Sequence, residues 1–153
     1  MHSPICLKSK LLPLAFTAAA GASSGQGQQP SPDYGMDKKT AIEVCMPAGE
    51  RAYLARLVCP SGESPKYQRI GSVGLRYKMP GSLTDDQQLA LARRQATGLE
   101  QGEIDHHMID KYEVACPFEV KYIFLDMYHC NSAPPAIAPT GLNLRAAPHP
   151  PRH

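Results

Sequence analysis

No second apolar run follows residues 11–22, and that one, LLPLAFTAAAGA, is too short to cross a bilayer, which takes about 20 residues. The mature chain is therefore expected to have no membrane insertion. No twin arginine precedes the run, which points to export as an unfolded chain. There is no C-x-x-C and no close Cys/His knuckle, so the cysteines do not read as a zinc site. A phosphate loop, G-x-G-x-x-G, H-E-x-x-H, G-x-S-x-G and an EF-hand loop are all missing, which counts against a well-known enzyme class without excluding an unusual one. An excess of one charge is missing too. Residues 38–131 hold 12 Lys+Arg and 12 Asp+Glu, and the net +2 comes from the ends. No basic stripe marks a nucleic-acid surface. Lys66, Arg69, Arg76 and Lys78 group together, as do Glu100, Glu103, Asp105, Asp110 and Glu113. Each group reads as a solvated face.

What is present begins at the N-terminus. Lys8 and Lys10 precede the apolar run, and Ala20-Gly21-Ala22 ends it in a small-x-small pattern. These are the parts of a secretory signal, with cleavage expected after Ala22. A buried N-terminal helix is the alternative, but Ser/Gly/Gln-rich sequence follows at once. Residues 1–22 thus read as a signal peptide and residues 23–37 as a flexible leader. Residues 132–153 contain six prolines and read as a disordered tail. That leaves residues 38–131 as the folded domain, in a periplasmic or secreted setting.

A core this small commonly needs a staple. Cys6 departs with the signal, leaving Cys45, Cys59, Cys116 and Cys130. An even set in an exported domain reads as disulfides.

Residues 40–45 (TAIEVC) alternate as a strand, and residues 46–50 supply a turn. Residues 51–59 (RAYLARLVC) are ambiguous. Tyr53, Leu54, Leu57 and Val58 share a helix face, whereas Tyr53, Ala55, Leu57 and Cys59 share a strand face. The turn-like residues 60–63 favour the strand. Residues 66–77 read as a strand interrupted by Gly71 and Gly74, a bulge signal. Residues 83–96 read as a helix with a Thr84/Gln87 capping box, Asp85 and Asp86 in the first turn, and a Leu89, Ala92, Ala96 stripe. Residues 109–116 and 120–130 read as strands joined by a turn at Pro117. The expected fold is α+β, with about five mostly antiparallel strands and one helix.

Cys45/Cys59 and Cys116/Cys130 have the same C-x13-C spacing. If each pair flanks a turn and then a long strand, its two cysteines stand roughly 30 Å apart. A disulfide needs Cα atoms within about 7 Å. The bonds should then cross between the two units.

Three segments carry a resemblance: YLARLVC at residues 53–59, Gly71-Ser72-Val73-Gly74, and Asp126-Met127-Tyr128-His129-Cys130. They resemble parts of uncharacterised small exported proteins of Gram-negative bacteria, over most of the core but not the ends. The resemblance implies a periplasmic setting and no activity, and it transfers no functional residues.

Two clusters hold candidate chemistry. In Asp105-His106-His107-Met108-Ile109-Asp110, His107 and Asp110 are weak catalytic candidates. Adjacent histidines on a strand face opposite ways, so one site rarely uses both, and no metal or other cofactor is expected. In the second cluster, Asp126, Tyr128 and His129 adjoin Cys130. Asp126 lies within an apolar strand, so if buried it needs a hydrogen-bonded partner. The structural reading has backbone or arginine donors on Asp126. The functional one has Asp126 and His129 lining a groove. A ribonuclease-like trio of His107, His129 and Lys121 is a weaker candidate. The chain thus reads as a non-catalytic periplasmic binding protein, of inhibitor, immunity or accessory type, whose partner is a periplasmic or envelope protein. The alternative is a small secreted hydrolase using His and Asp.

Overall fold

The computed structural model describes residues 31–146. The expected signal peptide, the start of the leader and the last seven positions lie outside the described residues. The fold is α+β. In chain order the elements are β1 (Ile42–Glu43), α1 (Met46–Leu54), β2 (Leu57–Val58), β3 (Lys66–Leu75), α2 (Asp85–Gln95), β4 (Met108–Cys116), β5 (Glu119–Asp126) and β6 (Asn143–Leu144). A four-stranded sheet has the order β1-β5-β4-β3, and β2 pairs with β6 in a second, two-stranded sheet. Only β1 runs parallel to its neighbour.

The β4–β5 hairpin is the spine. Cys116 pairs with Glu119 across Pro117-Phe118, and the ladder continues to Asp110 and Leu125. Tyr112, Val114, Ile123 and Leu125 alternate onto one face and meet Ile42, Val44, Tyr53, Leu54 and Leu57 in the core. Period-two side-chain alternation produces this one-sided burial. β3 is an edge strand, and its register slips between Arg69 and Gly71 and again between Ser72 and Leu75. Gly74 sits at φ +99, a backbone conformation that side chains disfavour. The two slips are the bulges expected from the glycines.

Residues 46–54 correct the sequence reading, which had a turn and then a strand. Pro47 falls in the first turn of α1, where its missing N–H leaves no bond unmade. Glu50, Tyr53 and Leu54 are the buried positions, and their i, i+3, i+4 spacing is a helix face. The helical pattern prevails because it buries Tyr53 and Leu54 together; a strand would split them. Only Leu57–Val58 remains extended.

α2 forms with its capping box intact. None of its residues is buried, so the Leu89 stripe does not face the core. The helix is held by polar contacts instead. Arg94 pairs with Glu103, and Gln95 bonds the Ile104 carbonyl and the His106 amide.

The disulfides are Cys45–Cys130 and Cys59–Cys116, with Cα atoms 4.4 and 5.7 Å apart. Both cross between the two C-x13-C units. They span 85 and 57 residues, and on the chain-entropy account each contributes about 4 kcal/mol.

The expected leader and tail are corrected where they are described. Gly35 is buried, and its carbonyl accepts the Phe124 amide at 2.8 Å. A Cβ on Gly35 would come within 2.6 Å of Ile42. At the other end Leu142 is buried in the core, and β6 pairs Leu144 with Leu57. Proline removes donors from residues 132–139 but leaves their carbonyls. The Tyr53 hydroxyl donates to the Ile137 carbonyl at 2.8 Å, and Arg56 to that of Pro135 at 3.0 Å. The folded body therefore extends past both expected boundaries.

Candidate functional site

The parallel pairing of β1 with β5 sets Glu43 beside Asp126. Beyond β5 the chain turns back over β1, and the His129 amide donates to the Val44 carbonyl at 3.1 Å. The next residue, Cys130, is tied to Cys45. Three constraints thus fix His129 within four residues of Asp126. Arg76 arrives from the end of β3. Its Nη1 donates to Glu43 Oε1 at 2.7 Å and to Asp126 Oδ2 at 2.9 Å. His129 Nε2 lies 3.1 Å from the same Asp126 oxygen, and its Nδ1 lies 2.6 Å from the Glu100 carbonyl.

Asp105 completes the cluster from the loop before β4. Its Oδ1 accepts from the His107 amide and from His107 Nδ1, both at 2.6 Å. Its Oδ2 has no hydrogen-bond partner and lies 3.8 Å from His129 Nε2. The His107 ring stacks on Tyr128 with centroids 3.7 Å apart. Asp105 and Asp126 are 0% exposed and His129 is 1% exposed, so these three face one another and not solvent.

Burial and proximity divide the two carboxyls. Burial pushes Asp105 up to about 6, helped by the neighbouring Asp126. Burial also opposes ionisation of Asp126, but the hydrogen bond to His129, the neighbouring Asp105 and the Arg76 charge bring it down to about 2. Burial disfavours a charged His129, but Asp126, the Glu100 carbonyl and Glu43 outweigh it and raise its basicity. The groups form one hydrogen-bonded network in which each shifts the others.

Glu43 and Arg76 also line a cleft of about 490 Å³, within the range of ligand sites. Tyr34, Thr40 and residues 132–137 form part of its walls. Burial and the Glu43 charge push the Tyr34 phenol up to about 12, so it stays a neutral donor. Residues 132–135 also line a smaller pocket of about 110 Å³, with Val44, Tyr53, Arg56 and His129.

The structure brings together His107, Asp126 and His129 among the sequence candidates. Asp110 stands apart. Arg69 grips it through two nitrogens at 2.6 and 2.7 Å, and Ser72 donates to it at 2.8 Å. Lys121 pairs with Glu119, five residues up β5 from Asp126 and about 16 Å away along an extended strand. The trio of His107, His129 and Lys121 therefore does not assemble. His106 parts from His107, as neighbours on an extended chain do, and its Nδ1 meets the Tyr77 carbonyl at 3.1 Å. Sequence reasoning missed Glu43 and Arg76. The signal for them was the partner that a buried Asp126 requires; composition named no particular arginine.

Comparison with protein-family models, with curated proteins and with solved structures finds no match to this chain. No helix among the described residues is long and apolar enough to cross a membrane. The two disulfides are of the kind that persists in oxidising compartments.

Proposed function

We propose that this is a non-catalytic exported binding protein, of inhibitor, immunity or accessory type, that holds a periplasmic or envelope protein at the cleft between Tyr34 and residues 132–137. One observation carries the reading. The groups best suited to chemistry, Asp105, Asp126 and His129, are sealed from solvent and engaged with one another. The cleft itself offers an aromatic phenol, a proline-rich wall and the paired charges of Glu43 and Arg76. That is a recognition surface. The disulfide at Cys45 and the bonds from Tyr53 and Arg56 hold the walls in place, and a rigid surface loses less entropy on binding. The periplasmic setting rests on the disulfides, the signal-like N-terminus and the resemblance to small exported proteins of Gram-negative bacteria.

The test is capture of a partner from envelope extract by the oxidised domain. A single stoichiometric protein, released when the disulfides are reduced, is the expected result. Repeated capture of nothing contradicts the proposal.

A small hydrolase is the second reading, and one observation favours it. Asp105 holds His107 Nδ1 at 2.6 Å, and the His107 side chain is 25% exposed. A carboxylate orienting a histidine is the arrangement of an acid–base pair. Hydrolytic turnover abolished by His107→Ala, with the fold retained, would replace the binding proposal.

A further inference from the structure

The sequence reading expected no metal, yet the buried cluster has the form of a cation site. Asp105, Asp126 and His129 each present a ligand atom within 4.8 Å of the others. Asp105 Oδ2 is buried without a hydrogen-bond partner and lies 3.8 Å from His129 Nε2. Asp126 Oδ2 lies 3.1 Å from that same nitrogen. Ligand atoms around a tetrahedral zinc ion stand about 3.4 Å apart, and these two separations bracket that value.

The atoms behind the ligands are arranged as metal sites require. His129 Nδ1 faces the Glu100 carbonyl at 2.6 Å, which fixes the tautomer that leaves the Nε2 lone pair to ligate, with Arg76 Nη1 3.3 Å from that nitrogen. Asp105 Oδ1 is held by two His107 nitrogens, and Asp126 Oδ1 by the Tyr128 amide at 3.3 Å. Charge points the same way. Asp105, Asp126 and Glu43 are three carboxylates against one guanidinium, Arg76, and a divalent cation makes up the difference.

We infer that Asp105, Asp126 and His129 bind one divalent transition-metal ion, of the zinc class, as a structural centre beneath the cleft. Arg76 remains on Asp126 and Glu43 as an outer partner. The site is sealed, so the ion enters as the chain folds. This inference does not rest on the binding proposal.

The test is to refold the oxidised full chain with zinc or with chelator, then to measure zinc per chain after gel filtration and the affinity by competition. The wild type should retain stoichiometric zinc and melt at a higher temperature with it. Asp105→Asn keeps an Oδ1 acceptor for His107 and should weaken zinc at least about 100-fold; His129→Gln should do the same. Changing the tail residues His149 and His153 to Gln should alter nothing. A wild type that retains no zinc overturns the inference. So does an Asp105→Asn protein that retains as much as the wild type, or zinc lost with the tail histidines.

Discussion

Glu43 and Asp126 are paired positions on the parallel β1–β5 ladder, and a single nitrogen of Arg76 bonds both carboxylates, at 2.7 and 2.9 Å. The Arg76 side chain is 8% exposed, so removing it leaves two carboxylates facing each other with little water. Arg76→Met should cost about 3–5 kcal/mol of stability in urea denaturation of the oxidised domain. Adding Asp126→Asn should recover part of that loss. A single variant within about 0.5 kcal/mol of wild type would mean that the network does not hold the fold together.

Glu50 gives the protein a stability term that depends on pH. It is buried on α1 and bonded by the Tyr112 hydroxyl at 3.0 Å, and burial raises it to about 6. The folded state therefore holds this proton more tightly than the unfolded chain does. The resulting stability is complete below about pH 4.5 and disappears as pH rises through about 6. Between those limits the wild type should lose about 1–2 kcal/mol relative to Glu50→Gln. Parallel stability curves for the two proteins from pH 4 to 7.5 would contradict this.

Leu142 tests whether the C-terminal segment is part of the fold. It belongs to the core cluster with Tyr53 and Leu57. Leu142→Ala should cost about 2–3 kcal/mol in denaturant unfolding. A disordered tail would show no change.

The Cys59–Cys116 bond joins the end of β2 to the start of the β4–β5 turn across 57 residues. Replacing both cysteines with alanine should lower stability by about 4 kcal/mol. Peptide mapping of the oxidised wild type should recover the Cys59–Cys116 and Cys45–Cys130 pairs. Recovery of Cys45–Cys59 would contradict the topology.

The parts of this fold that were legible in the sequence are governed by neighbours in the chain. α2 is announced by Thr84 and Gln87, three positions apart, and the β3 bulges by Gly71 and Gly74. α1 was misread because residues 51–59 satisfy two periodicities, and the deciding fact, joint burial of Tyr53 and Leu54, is tertiary. The disulfide crossing followed from extended lengths. That argument holds for Cys116 and Cys130, which β5 separates, but the other unit is a helix and a short strand. The C-terminal segment was misjudged because its hydrogen-bond donors, Tyr53 and Arg56, lie about 80 residues away. The site divides in the same way. Asp126 stood out as a carboxylate in an apolar strand, whereas Arg76, 50 positions earlier, looked like one member of a solvated basic group.

The most direct measurement of the binding proposal is the affinity of the captured partner for the wild type and for Ala136→Trp, by calorimetry. Ala136 is exposed on the cleft wall, so the indole fills the cleft without entering the core. The account predicts binding at least about tenfold weaker with an unchanged melting temperature. Equal affinity for the two proteins would place the partner elsewhere and contradict the cleft as the site of recognition.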